Sequence, residues 1–330
     1  MTPAHGGNIF EISRERGWDW RDVADFSASI NPLGPAPGVE PAIRAAVERI
    51  RHYPEREPLR LARALARLWH VEESQILLGN GATELLHFHA RTDAHERVTL
   101  ALPVFSEFFR AYPRARCTPA AKSDAWPREG LLVLTQPDNP TGDILNPEML
   151  ERWLLGTTNP VMIDESFLDF TGLPSMARML ARRPALYILR SLTKFYALPG
   201  LRVGALLAAE ETVARWRPRR EPWQVNVLAE EAALAAIADE EHARRSLEYV
   251  VREREWLLGQ LGELPGVHTS PSHANYLLAR LDYPPHELYE HMLERKILIR
   301  ECEGAVRVAV RTRAENERLV ASWREFRCAC

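Results

Sequence analysis

The chain has 330 residues, of which 46% are hydrophobic and 26% charged, with a formal net charge of −3. That length exceeds one minimal domain and suits a main domain carrying a smaller one. The charge balance excludes the basic face of a nucleic-acid binder, and neither a bilayer-spanning apolar run nor a secretory signal is visible, so a cytoplasmic protein without membrane partners is expected.

Along the chain, the first 40 residues are rich in Gly, Pro and Asn ("HGGN", "SINPLGPAPG"), which is loop chemistry. Helical periodicity follows at 40–51 and 57–69. "QILLGN" reads as a strand and leads into a helix beginning near Ala82. "RVTLALP" and "LLVLTQP" read as strands, "PEMLERWLLG" as a helix and "PVMIDES" as a strand. "SMARMLARR" reads as a helix, followed by the strands "ALYILRS" and "VGALLAA". Short strands, apolar on both faces and separated by helices, predict an α/β domain with a mostly parallel sheet covered on both sides. A long helical stretch over about 225–263 then gives way to the strands "ANYLLARL", "ILIREC" and "AVRVAV", with helices at 285–295 and 314–326. The expected organisation is an N-terminal segment (1–35) that joins the small domain and the active site, a large domain (36–225) and a smaller α+β domain (226–330). The four cysteines, Cys117, Cys302, Cys328 and Cys330, are too few and irregular for a disulfide framework. The terminal "CAC" has no histidine beside it, and no metal is expected.

In open α/β sheets ligands sit at the carboxyl ends of the strands, and those ends carry chemistry here. After "QILL" come glycines and a helix N-terminus, whose free amides suit a phosphate. After "VTLALP" comes Phe105, and after "LLVLTQP" the turn "DNPTG" with Asn139. After "PVMI" comes Asp164, an acid placed where burial demands a cation or a donor. After "ALYIL" comes "RSLTK", which sets Lys194 among the hydroxyls of Ser191 and Thr193, eight residues before Arg202. Turn chemistry or core packing explains each element alone. Their joint order fits one ligand, pyridoxal 5′-phosphate: its phosphate takes amides, hydroxyls and an arginine, its ring an aromatic face, its pyridinium nitrogen a carboxylate, and its aldehyde a lysine amine.

The motifs "DNPTG", "DES" and "SLTKFYALPGLRVG", in this order, resemble the fold-type I pyridoxal-phosphate enzymes of the class I/II aminotransferase family, from "HGGNIFE" to "RTRAENERL". Within it, "HGGN", "FSASINPLGP", "DESFLDF" and "VRVAVRTRAENERL" are most similar to the L-threonine-O-3-phosphate decarboxylases of cobalamin biosynthesis, with the histidinol-phosphate aminotransferases as near relatives. The resemblance implies that Ala82, Thr83, Ser191 and Arg202 bind the cofactor phosphate and that Tyr53 reaches the phosphate of a partner subunit, hence a homodimer with shared sites. It implies that Phe105 stacks on the ring, Asn139 donates to the ring oxygen, Asp164 pairs with the ring nitrogen and Lys194 is catalytic. Phe167 stands where many relatives carry a tyrosine, so a phenolic hydrogen bond to the cofactor is lost. Arg307 is implied to bind the substrate carboxylate, with Arg300, Asn31 and the loop His5, Gly6, Gly7 and Asn8 taking the rest of a phosphorylated substrate. The segment between the two arginines is shorter than in relatives. The implied reaction is decarboxylation of O-phospho-L-threonine to (R)-1-amino-2-propanol phosphate, or alternatively transfer of an amino group from histidinol phosphate or a related amine to 2-oxoglutarate. A non-catalytic sensor on the same scaffold is disfavoured by the intact Lys194 and Asp164.

Overall fold

The computed structural model describes residues 6–119 and 126–328 and divides into two compact units. The smaller comprises 1–33, 140–143 and 246–330; the larger comprises 34–139 and 144–245. The first helix and strand of the chain, α1 (Ile9–Arg16) and β1 (Ala24–Asp25), belong to the smaller unit.

The larger unit begins with α2 (Val39–Ala46) and α3 (Leu59–Trp69). Among the described residues it holds a seven-stranded sheet of β2 (Ile76–Gly79), β3 (Val98–Leu102), β4 (Arg116–Pro119), β5 (Leu131–Thr135), β6 (Val161–Asp164), β7 (Leu186–Ser191) and β8 (Gly204–Leu207), in the order β2-β8-β7-β6-β5-β3-β4. β3 to β7 pair in parallel, whereas β8 runs antiparallel to both its neighbours, β2 and β7. β5, β6 and β7 are buried at every position, as strands covered on both faces must be. Helix α4 (Ala82–Thr92) lays Leu85, Leu86 and Phe88 on the sheet against Leu100, Val133, Met162 and Leu189. Each such side chain contributes about 1.5–3 kcal/mol relative to remaining exposed. The unit is completed by α5 (Glu107–Ala111), α6 (Pro147–Gly156), α7 (Glu210–Trp216) and α8 (Val227–Ala238). The side chain of Asn146 caps α6 by accepting from the Met149 N–H at 2.9 Å, with Pro147 in the first turn.

Several local readings change. The stretch 175–183, read as a helix, makes only a 3₁₀ turn at Met176–Met179. The helical stretch over 225–263 is two helices, α8 and α9 (Glu240–Gly262), broken at Asp239. The expected boundary at 225/226 lies inside the larger unit, because the alanine-rich α8 packs there against α2 and α3 and buries Ala229, Ala232, Ala233 and Ala236.

The smaller unit contains a four-stranded antiparallel sheet of β12 (Arg300–Cys302), β13 (Ala305–Ala309), β10 (Tyr276–Leu281) and β9 (Val267–Thr269), in that order. "ILIREC", read as one strand, is two: β11 (Ile297–Leu298) pairs in parallel with β1, and β12 joins the sheet. α9, α10 (Pro285–Glu294) and α11 (Arg313–Cys328) supply helical cover. Leu257, Leu261, Leu288, Met292, Leu319 and Trp323 form its core with Phe26 from the N-terminal segment. No helix of the described residues is long and apolar enough to cross a membrane.

Candidate active site

The reversed direction of β8 organises the larger unit's site. Its first residue, Gly204, is the register partner of both Gly79, at the end of β2, and Ser191, at the end of β7. The residues leading into β8 therefore arrive where the neighbouring strands finish. Arg202, two residues earlier, adopts a left-handed φ of 59°. A Cβ built on Gly81 would lie 2.6 Å from an Nη of Arg202, so the guanidinium rests directly on the glycine that precedes α4. Gly81 has φ 85°, a conformation that favours glycine. A Cβ on Gly204 would lie 2.6 Å from the backbone nitrogen of Ala82. The amino end of α4, with Ala82 and Thr83, is thus brought beside Arg202 and the Ser191 hydroxyl, which is 2.8 Å from the hydroxyl of Thr193. A helix amino end, hydroxyls and a guanidinium in this neighbourhood have the chemistry of an anion site.

Asp164 ends β6, beside Thr135 of β5 and Leu189 of β7. Its carboxylate accepts from the Ser166 N–H at 2.9 Å. Burial pushes its pKa up, opposed by the hydrogen bonds of Ser166 and by the charge of Lys194. A buried carboxyl whose ionisation is resisted is stabilised by a ligand cation. Half-buried Lys194 stands three residues beyond the end of β7. Asn139 is buried just past β5, Phe105 is half-buried past β3, and Phe167 is buried with its ring 6.4 Å from that of Phe170. The adjacent Glu165 is occupied otherwise: it pairs with Arg190 at 3.1 Å and accepts from Ser175 and the Met176 N–H.

In the smaller unit a second network joins residues far apart in sequence. A Cβ on Gly6 would fall 2.2 Å from the Ser27 carbonyl oxygen, and the Gly7 N–H donates to Ser27 Oγ at 2.9 Å. The Ser27 carbonyl accepts from Arg307 Nη2 at 2.9 Å, and its hydroxyl donates to Asp25 at 2.6 Å. Arg307 is buried, with its guanidinium 4.9 Å from the ring centre of Tyr276. Burial, then the charge of Arg300, pulls its pKa down to about 10. Arg300 is the register partner of Arg307, the strands joined by a turn at Glu303 and Gly304. Asn31 is committed within the unit, donating to Ser246 Oγ at 2.8 Å and accepting from the Leu33 N–H at 3.0 Å. Asn8 precedes α1 without a side-chain capping bond.

Tyr53 is 80% exposed and stacked on Trp223, ring centres 4.6 Å apart. His5 lies outside the described residues, as does Cys330. Sequence reasoning singled out neither Gly204 nor Ser27, although both lie inside motifs it quoted. Their signals are a glycine two residues after Arg202 and a serine between Asp25 and Asn31.

The donor set of the larger unit fits pyridoxal 5′-phosphate: an anion cradle that any Cβ at Gly81 or Gly204 would invade, a buried carboxyl and a nearby lysine. Comparison with known proteins agrees. The profile of the family described as Aminotransferase class I and II matches residues 21–322. The chain is 35% identical to the threonine-phosphate decarboxylase of Salmonella typhimurium, over 98% of this chain and 96% of that protein. It is 32% identical to the histidinol-phosphate aminotransferase of Moorella thermoacetica, over 97% and 89%. Among solved structures, the L-threonine-O-3-phosphate decarboxylase of Porphyromonas gingivalis superposes with a TM-score of 0.86 at 26% identity, covering 92% of this chain and 99% of that one.

Proposed function

The chain belongs to the class I and II aminotransferase family, whose cofactor is pyridoxal 5′-phosphate, and on that premise we propose that it decarboxylates O-phospho-L-threonine to (R)-1-amino-2-propanol phosphate. The observation that carries this reading is the near-full-length similarity to the Salmonella typhimurium decarboxylase. The Gly6–Ser27–Arg307 network supports it by tying the N-terminal loop to the arginine assigned to the carboxylate. A cytoplasmic homodimer, with Tyr53 reaching the partner's cofactor phosphate, is part of the same proposal.

The bound cofactor supplies an electron sink conjugated to the substrate's Cα. Ala82, Thr83, Ser191 and Arg202 would hold its phosphate, Phe105 would cover its ring, Asn139 would donate to its ring oxygen and Asp164 would keep its nitrogen protonated. Phe167 packs without contributing a hydroxyl. Arg307 would hold the substrate carboxylate with a planar fork and so fix its orientation. Arg300, the His5–Asn8 loop and Asn31 serve the substrate's phosphate end, Asn31 by holding the backbone around it. Lys194 would hold the proton that Cα takes up once CO₂ has left.

Amino transfer from histidinol phosphate to 2-oxoglutarate is the second reading, favoured by the Moorella thermoacetica similarity. There Lys194 removes the Cα proton instead. A paired assay separates the two: O-phospho-L-threonine alone, followed for CO₂, and L-histidinol phosphate with 2-oxoglutarate, followed for glutamate. CO₂ release without any keto acid, lost in Lys194→Ala, is the expected result. Glutamate without CO₂ overturns it.

A further inference from the structure

At the opposite end of α4 from the anion cradle lies a cluster that the cofactor chemistry does not use. His89 lies in that helix's last turn and Asp93 caps its carboxyl end, where the Asp93 N–H donates to the His89 carbonyl at 2.9 Å. His95 follows two residues later. One ligand atom from each of the three lies within 4.8 Å of the others. Ligands of a tetrahedral zinc lie roughly 3.4 Å apart for bonds near 2.05 Å, so modest side-chain rotation closes the set.

The hydrogen bonding around these rings points to a ligand. His89 is fully buried, yet its Nε2 has no hydrogen-bond partner, and neither has the buried Nε2 of His95. A buried ring nitrogen left without a partner costs free energy. The other nitrogen of His89, Nδ1, is 2.8 Å from the hydroxyl of buried Tyr112. With the proton on Nδ1 and donated to Tyr112, the lone pair of Nε2 is available, the arrangement in which an outer partner orients a metal-binding imidazole. The Tyr187 hydroxyl, 3.4 Å from Asp93 Oδ2, stands in the same relation to the carboxylate. The two rings are nearly parallel, with centres 5.7 Å apart. The metal-free expectation rested on the cysteines and did not weigh the spacing of "HARTDAH".

We propose that His89, Asp93 and His95 bind a divalent transition-metal ion through two imidazoles and a carboxylate, zinc being the chemical match. Along α4, His89 lies seven residues, about 10 Å, and Asp93 eleven residues, about 16 Å, from the helix's amino end. The ion is therefore structural, fastening the end of α4 to the segment leading into β3.

The test uses full-length, cofactor-loaded protein carrying Cys328→Ser and Cys330→Ser, which removes the tail thiols as competing ligands. After chelator treatment and dialysis it is titrated calorimetrically with zinc chloride, and melting is followed with and without zinc. The expected result is one zinc per chain and a melting temperature raised by zinc. His95→Ala and Asp93→Asn, each with an unchanged circular dichroism spectrum, should weaken binding by more than about 100-fold. Tyr112→Phe should weaken it about 10–100-fold, as loss of an outer partner does. Absence of zinc binding in the serine background overturns the proposal. So does wild-type affinity in both His95→Ala and Asp93→Asn.

Discussion

Arg300 and Arg307 face each other directly across the β12–β13 ladder, two like charges brought into register by a turn of only Glu303 and Gly304. Like charges directly opposite destabilise an antiparallel pair, and here one of them is buried as well. The arrangement suits a receptor for anions, and the two-residue turn holds the pair in register. Hydrogen bonds to charged groups contribute about 1.5–3 kcal/mol. Arg307→Lys, which keeps the charge and loses the fork, should therefore reduce kcat/KM about 10- to 100-fold, with most of the change in KM. Steady-state kinetics on the substrate found active in the paired assay measures this. An unchanged KM removes Arg307 from the carboxylate.

Asp164 supplies a pH test. Burial raises its folded pKa above the unfolded value, so the folded state without cofactor holds the proton more tightly. Between the two pKa values the folded chain binds more protons than the unfolded one, and stability falls as pH rises. Above the folded value the full cost of a buried charge is present. Asp164→Asn removes that cost while its amide oxygen still accepts from Ser166. Cofactor-free Asp164→Asn should unfold at higher urea concentration than the parent at pH 8, with a smaller gain at pH 5, while binding the cofactor more weakly. Equal urea midpoints at both pH values contradict this account.

Gly204 tests the cradle. An alanine Cβ there would sit 2.6 Å from the Ala82 nitrogen and 2.9 Å from the Arg190 carbonyl oxygen, both backbone atoms that cannot simply rotate aside. Gly204→Ala should displace the start of α4, destabilise the protein by about 1–3 kcal/mol and weaken cofactor phosphate binding more than Gly200→Ala, which meets nothing within 4 Å. Cofactor titration by fluorescence and urea unfolding read both effects.

The stacked pair Tyr53–Trp223, with Ile50 62% exposed nearby in sequence, presents aromatic and apolar surface to solvent. In the proposed homodimer, Tyr53→Glu together with Trp223→Glu should shift sedimentation from dimer toward monomer and lower cofactor affinity in parallel. Tyr53→Phe should leave the dimer intact while weakening cofactor binding alone. A wild-type chain that sediments as a monomer at micromolar concentration removes the shared site.

The elements that position the cofactor were legible because they are the most buried. β5, β6 and β7 read as strands through their unbroken apolar runs, and Asp164, Ser191 and Lys194 stood out as polar residues where those runs stop. Less visible were elements held by long-range contacts. β4 has the polar sequence "RCTP" and is a strand because it pairs with β3 at the sheet edge. The helical pattern at 175–183 is overridden by buried Glu165, which takes the Ser175 hydroxyl and the Met176 N–H and fixes a tighter turn. The split of "ILIREC" follows from pairing: Leu298 accepts from the Phe26 N–H while Arg300 turns to β13. Gly204 matters through its backbone and Ser27 through its carbonyl as well as its hydroxyl, long-range proximities that leave little trace in a single sequence.

The reversed strand also sets a timetable. β2 and α4 are synthesised early, but the neighbour that lies against them, β8, emerges only after five intervening strands have left the ribosome. At translation rates of 5–20 residues per second, the interval from Gly79 to Gly204 lasts roughly 6–25 s. Throughout it the amino end of α4 has no Arg202 to work with, so a nascent chain cannot capture its cofactor with the finished grip. Loading belongs to the period after Leu207 has paired with Ile76 and Ile188, and it rewards chains whose sheet has closed in the correct order.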